Sequence, residues 1–208
     1  MDKYDRRPAV FQNNALIDCK NRTMNEKQTK LYYLGLRKMV SDLPVSSQEK
    51  RPEFTGSLMV YIPKSELVAR FGAKWVQNDL YKEVDVMMSK AKIKIKDDNG
   101  KWALFNIFSY VTYEGEKLTI KFSDDIAPYV LHLTKGCFTK DPLDDVMKLK
   151  SVYSVRLLEL MLKVINGTKK RKFTYEDLRD FLNVTDGEYK RIDSFKQKVL
   201  DAPIKEVN

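Results

Sequence analysis

Apolar residues recur every three or four positions in several stretches of this chain, a pattern that predicts amphipathic helices. The first such stretch follows Thr23, whose spacing from Glu26 is typical of a capping box at a helix start. We therefore expect the first ordered element to be a helix beginning there. Its buried side would carry Leu31, Leu34, Leu36, Met39, Val40 and Leu43.

A strand and two helices are predicted next. A polar loop containing Pro44 and Pro52 leads into a strand at 54–62, followed by a short helix at 63–71. After Gly72 and a charged turn, apolar residues at helical spacing predict one longer helix over 75–90. Two helices joined by a short turn resemble a helix-turn-helix.

A change to period-two alternation predicts strands after these helices. Ile93 and Ile95 alternate with lysines, and the turn ending in Asn99-Gly100 leads into the apolar run at 102–111. A second turn at 114–116 and a strand at 117–122 would complete a three-strand meander. Helix, strand, two helices and a hairpin in that order predict a winged helix whose wing is the hairpin.

The pattern then restarts as three helices. The first, 153–165, is apolar except for Arg156, Glu159 and Lys163, whose spacing predicts one exposed stripe. Thr174 and Asp193 are the predicted caps of the second and third helices, and the third runs from 194 to about 207. We thus predict an α+β fold of two winged-helix units in tandem, a first domain at 1–145 and a second at 146–208 that ends before its wing.

The charge of the chain favours a polyanionic partner. Its 208 residues carry a net charge of +9 and are 43% hydrophobic, which is enough for a real core. Nucleic acid is one interpretation of that charge, and a merely solvated basic surface is the other. Neither a membrane span nor a signal peptide is visible, so we expect a cytoplasmic protein. Cys19 and Cys137 are interpreted as incidental thiols.

Three blocks of the second unit resemble plasmid replication initiators of the iteron-binding family. They are Leu149 to Leu160, Phe173 to Arg179 and Tyr189 to Leu200, and the segment from Ile204 to Asn208 completes the pattern. Residues 14–17, the helix after Thr23 and residues 61–71 resemble the family's first unit more weakly. The chain departs from the family pattern at Asp201-Ala202-Pro203, where Asp-Pro-Ala is commoner, and it stops at Asn208, where the family would continue into a second wing.

The resemblance implies two pseudo-symmetric winged helices that bind iteron repeats of double-stranded DNA as monomers. It also implies a dimer, formed through the first unit, that binds an operator and represses the protein's own synthesis. Opening of the origin would then involve the host's replication initiator and helicase machinery. The runner-up interpretation is a winged-helix transcriptional regulator that has no role at an origin.

The resemblance assigns DNA recognition to the last helix, and the chemistry of its residues suits that role. Lysine, arginine and amide side chains match phosphate oxygens and base edges. In the second unit we expect DNA contacts from Lys169, Lys170, Arg171, Lys172, Lys190, Arg191, Lys196, Gln197, Lys198 and Lys205. In the first unit the corresponding residues are Lys74, Gln77, Asn78 and Lys82. Ordinary solvated charge is the alternative for each of them.

Two other constellations have competing interpretations. The aromatic residues Trp102, Phe105, Phe108 and Tyr110 could stack on bases, but hairpin aromatics more often belong to a core. The carboxylates Asp124, Asp125, Asp141, Asp144 and Asp145 could hold a metal, but aspartates before helices are commoner as caps.

We predict that the protein is not an enzyme and needs no cofactor. His132 is the only histidine, so the paired histidines that hold the metal of a DNA-nicking initiator are absent from the sequence. The sequence also has no Gly-rich loop ending in Gly-Lys-Ser or Gly-Lys-Thr, which ATP-driven unwinding would need as a phosphate cradle.

Overall fold

The computed structural model of the chain describes residues 9–19, 23–41, 58–96, 99–131, 138–166 and 170–207. Its strands are β1 (Ala9–Asn13), β2 (Met59–Pro63), β3 (Lys92–Lys96), β4 (Trp102–Asn106), β5 (Phe108–Tyr113), β6 (Lys117–Phe122) and β7 (Phe138–Pro142). Its helices are α1 (Asn14–Asp18), α2 (Glu26–Ser41), α3 (Lys64–Phe71), α4 (Ala73–Asn78), α5 (Leu80–Lys90), α6 (Ala127–Val130), α7 (Leu143–Lys148), α8 (Val152–Asn166), α9 (Tyr175–Phe181), α10 (Ile192–Phe195) and α11 (Ala202–Val207). The mixed α+β class predicted from the sequence is confirmed.

Within the described ranges the strands form three small antiparallel sheets, ordered β2-β6-β5, β3-β4 and β1-β7. In the first sheet Val60 lies opposite Ile120, and α2 packs against this sheet. Gly35 permits the close approach, since a Cβ atom at this position would lie 2.8 Å from the ring of Phe122. A larger residue at Gly35 would therefore push the helix away from the sheet.

The buried residues of the described part of the chain form two hydrophobic cores, and both include residues of α8. The first is built mainly from α2, α3, α5 and the β2-β6-β5 sheet. The second contains Ile17, Leu160, Phe181, Leu182, Val184, Phe195 and Val199. α8 belongs to both cores, because Val155 packs in the first and Leu160 in the second. The division of the chain between residues 145 and 146 stays a prediction.

A buried ion pair on α8 overturns the predicted exposed stripe. Arg156 and Glu159 are 1% and 0% exposed, and their Nη1 and Oε2 atoms lie 2.9 Å apart. The Arg156 guanidinium also donates from Nη2 to the Cys19 carbonyl at 3.0 Å and the Phe181 carbonyl at 2.9 Å. Lys163 alone keeps a partly exposed position, paired with Asp18 at the surface.

The other oxygen of Glu159 accepts hydrogen bonds from two further elements. Tyr33 of α2 donates its hydroxyl to Glu159 Oε1, and Gln12 of β1 donates to the same oxygen at 3.3 Å. Gln12 Nε2 also lies 2.7 Å from Tyr33 Oη and 2.7 Å from Asp141 Oδ2 of β7. We call Gln12, Tyr33, Asp141, Arg156 and Glu159 the junction network; all five are buried.

Among the described residues β1 and α1 precede α2, so the prediction that the first ordered element is a helix is wrong, whereas the helix itself is confirmed as α2. β1 pairs with β7 near the other end of the first unit, with Val10 opposite Asp141. The predicted capping box is also misplaced by two residues. Asn25 and Gln28 exchange reciprocal hydrogen bonds of 3.0 and 2.9 Å, whereas the Thr23 hydroxyl donates to the Lys90 carbonyl.

The predicted helix at 75–90 is two helices that meet at Asp79. On one straight helix Trp75 would point about 140° away from Leu80, because successive residues are about 100° apart. The break lets both side chains enter the core. The short helix predicted at 63–71 is confirmed as α3, and the predicted strand is confirmed over Met59–Pro63; residues 42–57 lie outside the described ranges.

The predicted three-strand meander is wrong, because the apolar run at 102–111 divides between two sheets. β4 pairs with β3, whereas β5 pairs with β6. The division falls at Ile107, whose N–H donates to the Ala91 carbonyl and whose carbonyl accepts from Ser123 N–H. The β3-β4 hairpin itself is confirmed, and Gly100 in its turn has φ 81°.

The aromatic residues of this region divide in the same way. Phe108 is buried, and Phe105 stacks on Tyr129 with 5.8 Å between ring centroids. Trp102 and Tyr110 are exposed, so the predicted core assignment is confirmed for only half of the set. His132 and Cys137 lie outside the described residues, and Cys19 is a buried free thiol. Among the helices described, none is long and apolar enough to cross a membrane.

We expect the buried pair to be costly to break. Arg156→Ala leaves Glu159 as an uncompensated buried charge, which typically costs about 3–5 kcal/mol. The matched control is Lys148→Ala, which breaks an exposed pair of the same i,i+3 spacing with Asp145 and should cost at most about 1 kcal/mol. Urea unfolding of both variants measures the difference, and equal costs would contradict the burial of Arg156.

Candidate nucleic-acid interface

The C-terminal helical run, 192–207, has one buried and one exposed side. It consists of α10, a π-helical segment (Lys196–Asp201) and α11. Phe195 and Val199 point into the second core, as predicted. The predicted DNA-facing residues of this run all lie on its exposed side: Lys196, Gln197, Lys198 and Lys205.

The predicted cap of this run is wrong. The helix begins at Ile192, its N-cap residue is Arg191, and no side chain caps it. Asp193 instead lies in the first turn, where it makes an exposed 3.7 Å ion pair with Arg191. Such a pair contributes little to stability, so it leaves Arg191 able to exchange Asp193 for another anion.

Pro203 explains why the middle of the run is π-helical. Proline has no N–H, and its ring collides with the carbonyl four residues earlier in a regular α-helix. Here the Ala202 N–H bonds the Gln197 carbonyl five residues back, which is a π-type bond. The turn before Pro203 is therefore wider than an α-helical turn, and the angle between Lys198 and Lys205 around the axis changes accordingly.

The end of the run is tied to the start of α8. The Glu206 carboxylate accepts hydrogen bonds from the Ser154 hydroxyl and, at 2.9 Å, from the Lys150 N–H. A buried side and a hydrogen-bonded end leave the exposed face as the only part of the run turned outward.

Arg179 of α9 holds the loop that leads into the run. Its Nη2 donates to the carbonyls of Thr185 at 2.9 Å and Glu188 at 3.0 Å, and its Nη1 donates to the Tyr189 carbonyl at 3.2 Å. The guanidinium also lies 5.7 Å from the centre of the Phe195 ring. One side chain thus bonds three carbonyls of the loop that precedes Lys190 and Arg191, both of which are exposed.

The two ends of that loop adopt unusual backbone conformations. Asn183 (φ 55°) ends α9, where the Asn183 N–H bonds the Asp180 carbonyl and the Val184 N–H bonds the Arg179 carbonyl, a Schellman motif. Tyr189 (φ 46°) is the other, and its ring packs edge-on against Tyr153 at 6.2 Å. At the start of α9, the capping box of Thr174 and Asp177 confirms the predicted cap.

Tyr153 serves this loop as a neutral hydroxyl. Burial, with a contribution from the nearby Glu188 carboxylate, raises the pKa of Tyr153 to about 12. Its proton therefore stays in place throughout the physiological range, and no charge change at this residue disturbs the loop.

A second group of predicted contact residues lines a shallow groove of about 580 Å³ formed by Val164, Lys170, Arg171 and Lys172. The Arg171 guanidinium lies 5.0 Å from the centre of the Phe173 ring, which holds it at the edge of the groove. Lys169 lies outside the described residues. Three adjacent cations around a concave surface can bind a phosphate oxygen.

The remaining predicted residues form a separate patch on the first unit. Lys74, Gln77 and Asn78 lie exposed on α4, and Lys82 lies exposed on α5. Beside Lys82 lies Tyr81, which is 81% exposed and was not predicted as a site residue. Its position off the inward-facing stripe of α5 was the signal that could have identified it.

Ile192 and Arg179 are two further residues of the candidate interface that were not predicted from the sequence. Ile192 is exposed at the start of the C-terminal helical run, where a branched aliphatic side chain could contact a thymine methyl group. Arg179 lay inside a block recognised by resemblance, but only the folded chain brings its guanidinium to the loop.

The aspartates considered as metal ligands serve other purposes. Asp124 and Asp125 start a 3-10 turn capped by Ser123. Asp144 pairs with Arg70 at 2.9 Å, Asp145 pairs with Lys148, and Asp141 belongs to the junction network. Within the described ranges, no three histidine, cysteine or carboxylate side chains come close enough together to hold a metal ion.

Two models of known protein families match successive parts of the chain. Residues 9–162 match the family model described as "Initiator Replication protein, WH1", and residues 174–208 match "Initiator Rep protein, WH2". The chain belongs to the initiator replication protein family. The two matches confirm the pair of winged-helix domains predicted from the sequence, of which the second is short.

Individual proteins similar to this chain include a replication initiation protein and an initiator of known structure. A replication initiation protein from Escherichia coli is 31% identical over 108 residues, which cover 50% of this chain and 34% of that protein. The match thus spans about a third of the length of the relative. A crystal structure of the Pi initiator protein in complex with iteron DNA has a TM-score of 0.72 at 21% identity, covering 98% of this chain and 87% of that one. At that identity the likeness confirms the fold.

We expect Arg179→Lys to loosen the loop before the C-terminal helical run. Lysine has no planar fork with which to bond several carbonyls at once, so the variant should lose about 1–3 kcal/mol of stability. It should also exchange the amide hydrogens of Gly187 and Glu188 faster than the parent protein does. The control is Glu176→Gln at an exposed site of α9; unchanged exchange in Arg179→Lys would contradict the role given to Arg179.

Proposed function

We propose that this chain initiates DNA replication by binding repeated double-stranded sites, iterons, at a plasmid origin. The observation that carries the proposal is the exposed face of the C-terminal helical run, where three adjacent cationic or amide residues stand opposite a buried apolar side. Membership of the initiator replication family supports this use of the face, as does the likeness to an initiator whose structure contains iteron DNA.

The chemistry of the face suits base reading in the major groove. Gln197 has the donor and acceptor pair that matches adenine, and Lys196 and Lys198 can donate to guanine. Lys170, Arg171 and Lys172 would hold backbone phosphates beside this helix, with Lys190 and Arg191 at its start. The first-unit patch of Lys74, Gln77, Asn78 and Lys82 would contact the same duplex farther along.

We further propose that the protein contributes binding energy and no chemistry of its own. Several copies on adjacent iterons would strain the neighbouring duplex, and the host's replication initiator and helicase would act on the opened strands. The protein would therefore work in the cytoplasm as a non-enzymatic DNA-binding protein without a cofactor.

The alternative is a transcriptional regulator that binds an operator as a dimer, and self-repression would make the two functions overlap. Selection of bound sequences from random duplex DNA separates them. A selected site that binds one copy of the protein for each head-to-tail repeat supports the initiator, whereas a single palindrome supports the regulator. Recovery of no preferred sequence would refute both.

The first unit offers a surface for the proposed self-contact. The outward face of the β3-β4 sheet exposes Trp102 (66%) and Leu104 (54%). Lys92 and Lys94 lie on the same face, and Lys94 Nζ lies 5.8 Å from the centre of the Trp102 ring. In a symmetric dimer the apolar side chains would be buried and the lysines of the two copies brought together.

Two variants distinguish base reading from phosphate binding. Lys196→Ala should relax the preference at one base pair by about 1–3 kcal/mol, because a base-edge contact is lost. Lys170→Ala should weaken binding to all sequences and reduce the salt slope by about 1, because one phosphate contact is lost. Titrations of the selected duplex at several salt concentrations measure both effects, with Lys148→Ala as the control. Wild-type salt slopes in both variants would remove both residues from the DNA surface.

The self-contact predicts an unusual response to salt. Dimerisation through the Trp102 face should strengthen as salt rises, because the lysines repel one another, whereas DNA binding should weaken. Sedimentation at micromolar concentrations should find the Trp102→Ser, Leu104→Ser double variant monomeric. Ile165→Ser, which removes an exposed apolar residue at the end of α8, is the control. A dimer that persists in the double variant would place the contact elsewhere.

A further inference from the structure

The junction network connects the two hydrophobic cores through directional bonds. Gln12, Tyr33 and Asp141 come from β1, α2 and β7 of the first core. Arg156 and Glu159 come from α8, and the carbonyl of Phe181 belongs to the second core. A single chain of hydrogen bonds therefore runs from one core to the other.

Hydrogen bonds fix orientation more strictly than apolar contacts do, because their strength depends on angle as well as distance. The Arg156 guanidinium has a planar set of donors, and it bonds Glu159, the Cys19 carbonyl and the Phe181 carbonyl. It also lies 4.2 Å from the centre of the Phe181 ring. A rotation of α9 relative to α8 would break several of these contacts together.

The network lies apart from every residue that we place on the DNA surface, and its five members are fully or almost fully buried. Any effect that it has on DNA binding must therefore pass through the relative placement of the units. α8 transmits this placement, since it carries Arg156 and Glu159 in its middle and its Ser154 hydroxyl bonds Glu206 of the C-terminal helical run.

We propose that the junction network of Gln12, Tyr33, Asp141, Arg156 and Glu159 sets the orientation between the two units, and thereby the spacing of the two DNA segments that the protein binds. These five are positioning residues. The inference rests on the proposed function, because it requires both units to contact one duplex.

The distance between the two contacted DNA segments is a sensitive measure of the orientation between the two units. Each base pair inserted between two contacted segments moves one of them by about 3.4 Å and turns it by about 35°. A rigid pair of units loses one set of contacts on such a duplex, whereas a loosely joined pair adjusts. The ratio of the two dissociation constants, for the duplex with one inserted pair and for the original, therefore reports the rigidity of the junction.

The test uses the duplex selected from random DNA by the full chain, with hydroxyl-radical footprinting to locate the two protected segments. For the wild type, one inserted base pair between the segments should raise the dissociation constant at least about tenfold. The Arg156→Met, Glu159→Leu double variant replaces the ion pair with apolar side chains of similar size. It should bind the original duplex more weakly and discriminate between the two duplexes less than about threefold.

Two further variants separate positioning from stability. The double variant Asp145→Leu, Lys148→Met removes an exposed i,i+3 ion pair. Like the network variant, it leaves the net charge unchanged. Its ratio of dissociation constants should equal that of the wild type. Gln12→Met removes the amide bonds of β1 while keeping the ion pair, and its ratio should fall between the two. A variant that is merely less stable has fewer active molecules, which weakens binding to both duplexes equally and leaves the ratio unchanged.

The outcomes are distinct. A reduced ratio in the network variants supports the proposal. A wild-type ratio in folded network variants, or a footprint with a single protected segment, overturns it while leaving sequence-specific binding intact. Failure of the wild type to select any sequence would overturn the proposed function itself.

Discussion

The need to satisfy a buried guanidinium and two buried carboxylates is the constraint on which the arrangement of this protein depends. Charges removed from water are tolerated only when they are paired and hydrogen-bonded. Arg156 and Glu159 meet this requirement only if the ends of α1 and α9, the strand β1 and the helix α2 all lie in place around them. The strand β7 joins the same network through Asp141, which accepts a hydrogen bond from Gln12. Such a network contributes less to net stability than to the choice of one arrangement over others.

The C-terminal helical run takes its position from this junction. Its apolar side packs in the second core, Glu206 bonds the start of α8, and Arg179 bonds the loop that precedes it. The π-helical segment before Pro203 accommodates the proline without ending the helix. A rigid support of this kind allows exposed lysine and amide groups to meet base edges in one register.

Local patterns predicted several elements correctly. α3, the β3-β4 hairpin, the capping box of Thr174 and Asp177, and the inward positions of Phe195 and Val199 each depend on residues that lie within a few positions of one another. The same local rules failed where two candidate signals stood close together. Asn25 and Gln28 form the capping box that Thr23 and Glu26 were expected to form, and Ile192 begins the helix that Asp193 was expected to cap.

By itself, the sequence determined the winged-helix pattern, the basic charge and the blocks that place the chain in the initiator replication family. Only the tertiary structure decided that Arg156 and Glu159 are buried, because their surroundings come from Gln12 and Cys19, which are 147 and 137 residues from their partners. The same holds for the division of the run at 102–111 between two sheets, where bonds from Ile107 to Ala91 and Ser123 determine the pairing. Helical spacing predicts which residues share a face, and long-range partners determine whether that face meets water.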